Sequence, residues 1–103
     1  ELYTDKQNKL ATLFKVLGHP ARIAILQHII NKHSCICNDL VEELGLAQAT
    51  ISQHLKELKS IGILQGSIEG KSVCYCIDQN IWNTIEQEMN YFFDQEVEIK
   101  SCC

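Results

Sequence analysis

The sequence predicts a mainly α-helical domain of five helices with one small two-stranded β-hairpin. Three observations carry this. Apolar residues recur at helical spacing through most of the first sixty positions, beginning with Leu10, Leu13, Phe14 and Leu17. Gly18, Pro20, Gly45 and Gly62 break that periodicity into separate segments. A single stretch, Val73-Cys74-Tyr75-Cys76-Ile77, alternates with period two after a glycine-containing tip. The chain has 103 residues, of which 46% are hydrophobic and 21% charged. That suits a single domain over residues 1–103 with one modest core.

The first helix is expected from about Thr4 to Leu17, on the face set by Leu10, Leu13, Phe14 and Leu17. Gly18-His19-Pro20 ends it, and Pro20 suits the first turn of a second helix running to about Lys32. Ile23, Leu26, Ile29 and Ile30 line that helix. Ser34 is an expected N-cap for a third helix with Ile36, Leu40, Val41 and Leu44 inward, stopped at Gly45. Ala47-Gln48-Ala49-Thr50 opens a fourth, whose inward face is Ile51, Leu55 and Leu58 and whose end is Gly62. Two short strands follow, Ile63–Gln65 and Ser72–Ile77, joined by the tip Ser67–Lys71. The last helix spans about Asn80 to Glu96 and carries Ile81, Ile85, Met89, Phe92 and Phe93.

Composition narrows the function classes. No apolar run reaches the roughly 18 residues of a membrane span, and the polar start Glu1–Lys6 is unlike a signal peptide. The expected location is cytoplasmic, with no membrane and no protein partner. The formal net charge of −4 hides an uneven distribution. Residues 1–72 carry eight basic and seven acidic side chains, whereas residues 73–103 carry one and six. Local charge steers a nucleic acid, so the neutral to basic front stays compatible with DNA. Cys35, Cys37, Cys74, Cys76, Cys102 and Cys103 form three tight pairs, not the dispersed pattern of a disulfide framework. In a reducing compartment, paired thiols point to metal or redox chemistry.

Helix, glycine-containing turn, helix and hairpin is the order of a winged helix-turn-helix. With Ile51, Leu55 and Leu58 inward, the fourth helix leaves Gln48, Thr50, Ser52, Gln53 and Lys56 for a groove or for solvent. Gln pairs bidentately with adenine, Ser and Thr serve base edge or phosphate, and Lys neutralises phosphate. Lys71 at the tip and Arg22 are further phosphate candidates. An ordinary solvated helix face has the same composition. His54 beside Leu55 is expected to be a packed, hydrogen-bonded histidine, not a base contact.

"LFKVLGHPARIAIL", "LAQATISQHLKELKSIGIL" and "IEGKSVCYCI" together resemble the ArsR/SmtB family of metal-responsive winged-helix repressors, over about residues 8–82. The resemblance implies a homodimeric repressor on palindromic operator DNA that leaves it when an inducer binds. It implies a recognition helix starting near Gln48, a wing over residues 66–72, and a dimer interface through Leu13, Leu17, Ile85, Met89 and Phe92.

Cys35-Ile36-Cys37, followed by Asn38-Asp39-Leu40, is similar to the C-x-C motif of the arsenic-responsive branch. A helix start lowers a thiol's pKa, and soft sulfur selects arsenite, antimonite or another thiophilic ion over hard cations. Residues two apart on a helix diverge by about 200°, so ligation of one ion by both would distort the first turn. Some members carry a third cysteine where Leu40 stands here, which leaves Cys102 or Cys103 of either subunit to complete the metal site.

Cys74 and Cys76 alternate with Val73, Tyr75 and Ile77. If those three face the core, both cysteines point outward about 6.6 Å apart, to bind a metal, to oxidise or simply to fill space. Zinc is demoted as inducer, because Trp82–Glu96 contains none of the histidines that zinc-sensing members place there. His19, His28 and His33 are expected to be structural or exposed. Cadmium, lead or zinc sensing and a thiol-redox or persulfide-sensing repressor remain open alternatives. An enzyme is not expected, since no Cys-x-x-Cys or nucleophile–base pattern appears.

Overall fold

The computed structural model describes residues 2–37, 44–67 and 74–98. Helix α1 spans Asp5–Leu17 and starts on a capping box. The Gln7 N–H donates to Thr4 Oγ1 at 3.1 Å while the Thr4 N–H donates to Gln7 Oε1 at 2.9 Å. Two otherwise orphaned donors are thereby satisfied. Helix α2, Pro20–Lys32, has proline in its first turn, and the His19 Nδ1 accepts the Ala21 N–H at 3.0 Å. Its inward face is Ile25, Leu26 and Ile29. Ile23 and Ile30, expected inward, are 42% and 40% exposed, whereas Ile25, Leu26 and Ile29 are buried. His33 closes the helix in the left-handed region, its N–H donating to the Ile30 carbonyl.

The next segment corrects an expectation. Ile36–Cys37 is a short strand, β1, not the start of a helix capped by Ser34. It pairs antiparallel with a strand far along the chain, Ile36 opposite Tyr75 and Cys37 opposite Cys74. Backbone donors and acceptors that a helix start would leave unmet find partners in that ladder. Residues 38–43, the body of the expected third helix, lie outside the described residues. Four helices, not five, are therefore seen among the described residues.

Helix α3, Gln48–Ser60, buries Ile51, His54, Leu55 and Leu58. Gly62, at φ 82°, turns the chain into β2, Leu64–Ser67. Strand β3, Cys74–Ile77, lies between β1 and β2, so the expected two-stranded hairpin carries a third, short strand. Asp78 accepts the N–H groups of Asn80 and Ile81 and opens helix α4, Gln79–Phe93. Leu13, Ile25, Leu26, Ile36, Leu55, Leu58, Ile63 and Tyr75 are among the buried residues of one core. Helix α1 packs on α2, α3 and α4, and α2 packs on α3 and β3. The core therefore holds α3 with one face inward and presents the other.

Candidate functional site

Two places in the fold carry chemistry. The first is the outer face of α3. Ile51, Leu55 and Leu58 anchor the helix, and Gln48, Thr50, Gln53 and Lys56 are exposed, with Ser52 half-buried. The polar side chains are braced along the helix: Gln48 Nε2 reaches Ser52 Oγ and Gln53 Nε2 reaches Glu57 Oε1, each at 3.4 Å. Lys59 Nζ donates to the Gly66 carbonyl at 2.8 Å, which ties the end of α3 to β2. Lys71, expected at the hairpin tip, lies outside the described residues.

Arg22 has a different place from the one its charge suggested. Its Nε donates to His54 Nδ1 at 3.1 Å and its Nη1 to the Val16 carbonyl at 3.0 Å. The guanidinium thus joins the end of α1, the start of α2 and the middle of α3. His54 is a packed histidine, as expected, with the His19 ring 4.4 Å from its own. Burial, then the neighbouring His19 and Arg22, hold its pKa below the ordinary histidine value, against a smaller opposing pull from Glu57. A neutral ring is what accepting from Arg22 at Nδ1 requires.

The second place is the sulfur on β1 and β3. Tyr75 is buried and Cys74 exposed, as the expected alternation requires, but Cys76 and Ile77 are both half-buried, and Val73 lies outside the described residues. Cys35 and Cys76 form a disulfide, with their Cα atoms 4.4 Å apart. Cys74 is also disulfide-bonded, and its backbone neighbour across the ladder is Cys37. Strand register thus sets Cys35 against Cys76. Cys35 leads directly into strand β1, not into a helix turn capped by Ser34. Cys102 and Cys103 lie outside the described residues. Among the described residues, no cluster of three or more His, Cys, Asp or Glu side chains is placed to hold a metal ion.

Sequence reasoning did not foresee the Cys35–Cys76 pair. One signal was present: two C-x-C segments of equal length, which an antiparallel ladder matches end to end. Beside the pair lies a groove of about 500 Å³ between the end of α2, β1, β3 and the start of α4.

Of the residues expected at a dimer interface, Leu13 and Ile85 are buried in the chain's own core and Leu17 and Met89 pack against it. Phe92 is exposed and meets Phe14 and Phe93, with ring centroids 6.0 and 5.2 Å away. Phe14 and Phe93 are exposed too. No helix among the described residues is long and apolar enough to cross a membrane.

Residues 19–65 match the family model of bacterial regulatory proteins of the arsR family. An uncharacterized HTH-type transcriptional regulator of Methanocaldococcus jannaschii is 36% identical over 84 residues, 80% of this chain and 93% of that protein. The HTH-type transcriptional repressor SmtB of Mycobacterium tuberculosis is 38% identical over 63 residues, 61% of this chain and 46% of its own length. An arsenical resistance operon repressor of Staphylococcus xylosus is 29% identical over 82 residues, covering 80% and 78%. The structure of reduced HlyU from Vibrio cholerae shares the fold, with a TM-score of 0.61 at 24% identity over 86% of this chain and 93% of that one.

Proposed function

The chain belongs to the ArsR family of helix-turn-helix transcriptional regulators, and from that premise we propose that it is a homodimeric repressor released from palindromic operator DNA when a thiophilic metal(loid) binds its cysteines. The observation that carries the reading is the polar face of α3, held outward by Ile51, Leu55 and Leu58. In this reading Gln48, Thr50, Ser52, Gln53 and Lys56 meet the major groove, with Lys71 on phosphate. Arg22 acts from behind, fixing α3 through His54.

Release follows a short path. Cys76 lies in β3, β3 pairs with β2, and Lys59 joins β2 to the end of α3. A ligand that moves β3 moves the recognition helix, which supplies the differential affinity that an inducer needs. The relative named as an arsenical resistance repressor supports arsenite or antimonite as inducer.

The test is fluorescence anisotropy of the reduced protein on duplex DNA from upstream of its own gene, titrated with arsenite and then cadmium. Release at near-stoichiometric amounts, lost in Cys35→Ser, is the expected result. Binding that no thiophile disturbs would refute the inducer, and the absence of salt-dependent binding would refute the repressor itself.

The Cys35–Cys76 disulfide favours a second reading, a thiol-redox or persulfide-sensing repressor on the same scaffold. It predicts that a disulfide-forming oxidant such as diamide changes operator affinity while arsenite does not.

A further inference from the structure

Among the described residues, His54 is the polar side chain that α3 buries, and it stands where three helices meet. Its Nδ1 accepts the Arg22 Nε–H at 3.1 Å, while the Arg22 Nη1 donates to the Val16 carbonyl of α1 at 3.0 Å. The His19 ring lies 4.4 Å away, fixed at the start of α2 by its own Nδ1, which accepts the Ala21 N–H. The imidazole of His54 is thus held between a guanidinium and a second imidazole. The lone pair that a proton would take is the one that Arg22 uses. We propose that His54 is a positioning residue for operator binding and that the Arg22–His54 bond is a proton-operated latch. Closed, it fixes the orientation of α3; opened by acid, it lets the protein leave DNA. The inference rests on the DNA-binding reading above and names a regulation of it that needs no cysteine.

A proton from solvent that adds to Nδ1 turns the acceptor into a donor. The Arg22 Nε–H and the His54 Nδ1–H then face each other, each on a cation. Burial opposes the charged ring first, then His19 and Arg22 at the start of α2, while Glu57 on α3 itself favours it. Among the described residues, α1 adds the Val16 carbonyl but no charged group that acts on the ring, and β2 carries no titratable side chain. Ile51, Leu55 and Leu58, each 2% exposed or less, still anchor α3, so an open latch frees its orientation without unfolding the domain. Base reading needs side chains held to within about 0.5 Å, so a loosened helix loses affinity. Acid ordinarily strengthens binding to a polyanion, because histidines gain charge. The latch gives the opposite sign.

The experiment is fluorescence anisotropy of the full, reduced chain on duplex DNA from upstream of its own gene, between pH 7.5 and 5 at constant ionic strength. Far-UV circular dichroism of the same samples follows helix content. The expected result is an affinity that falls about threefold or more between pH 7 and 5, as linkage to one proton per chain allows, with helix content kept. His54→Asn, whose Oδ1 accepts in place of Nδ1 without titrating, abolishes that fall, and so does Arg22→Ala, which has no latch to open. A merely structural role would lower affinity at every pH and leave the slope. Calorimetry of wild-type binding at pH 6, in two buffers of different ionisation enthalpy, requires no substitution and is expected to show protons released as the DNA complex forms.

Affinity that holds or rises toward pH 5 in wild type, or a fall that persists in His54→Asn, overturns the proposal. So does a loss of helix content that tracks the loss of DNA, or binding at pH 6 that releases no proton. If wild type binds the duplex at pH 7.5 and only the pH effect is missing, the latch fails and the repressor reading stands. If no salt-dependent binding occurs at pH 7.5, both fail.

Discussion

Arg22 Nε donates to His54 Nδ1 at 3.1 Å, and through this bond α2 holds α3. The same guanidinium reaches the Val16 carbonyl at 3.0 Å, so one side chain fastens three helices. Arg22→Ala is expected to cost about 2 kcal/mol, since charged hydrogen bonds contribute about 1.5–3 kcal/mol. Arg22→Lys restores little of it, because an ammonium does not offer the planar fork. Urea denaturation of the three proteins checks this.

His54 sets a pH dependence. Burial, then the neighbouring His19 and Arg22, depress its folded pKa below the ordinary value of about 6.5. The unfolded chain therefore takes up a proton, as pH falls below that value, before the folded chain does. Stability present above about pH 6.5 is lost as pH falls through that value toward the folded pKa. His54→Gln is expected to flatten this part of the stability–pH curve. Unchanged slopes between pH 7 and 5 would contradict the assignment.

In the proposed DNA complex, Lys56 contacts phosphate and Gln53 reads a base, so the two are separable by substitution. Lys56→Ala is expected to weaken binding to all duplexes and to lower the slope of log K against log salt by about 1. Gln53→Ala is expected to cost about 1–3 kcal/mol on the operator and little on unrelated DNA. Anisotropy titrations across a salt series resolve the two.

Gly66 sits opposite Tyr75 at φ 119°, and a Cβ there would meet the Cys74 carbonyl oxygen. Gly66→Ala is expected to destabilise the fold by more than about 1 kcal/mol, since both the backbone region and the space are closed to alanine. A lowered midpoint in thermal unfolding is the readout.

In the proposed homodimer, the exposed aromatic group of Phe14, Phe92 and Phe93 is the surface that the second copy covers. Phe92→Asp with Phe93→Asp is expected to shift the hydrodynamic mass from dimer to monomer while leaving helix content unchanged, because both rings are exposed. A dimer that survives the double change would place the interface elsewhere.

Periodicity alone determined much of this protein. The inward face of α3, the proline start of α2 and the alternation of β3 about Tyr75 are local properties, set by side-chain spacing within one segment. The face that would meet DNA was legible for the same reason: it is what remains once the buried residues are removed. Ser34-Cys35-Ile36-Cys37 was misread because its local pattern fits a helix start, with Ile36 buried in either conformation. Pairing with β3, some forty residues away, decided for a strand. Arg22 looked like a phosphate contact because charge is visible in a sequence, whereas the His54 and Val16 acceptors that turn it inward belong to other helices. The Cys35–Cys76 pair likewise exists only through strand register, which spacing within either segment does not encode. Local chemistry thus determined the helix faces and the presence of reactive sulfur, and long-range pairing decided which sulfurs meet.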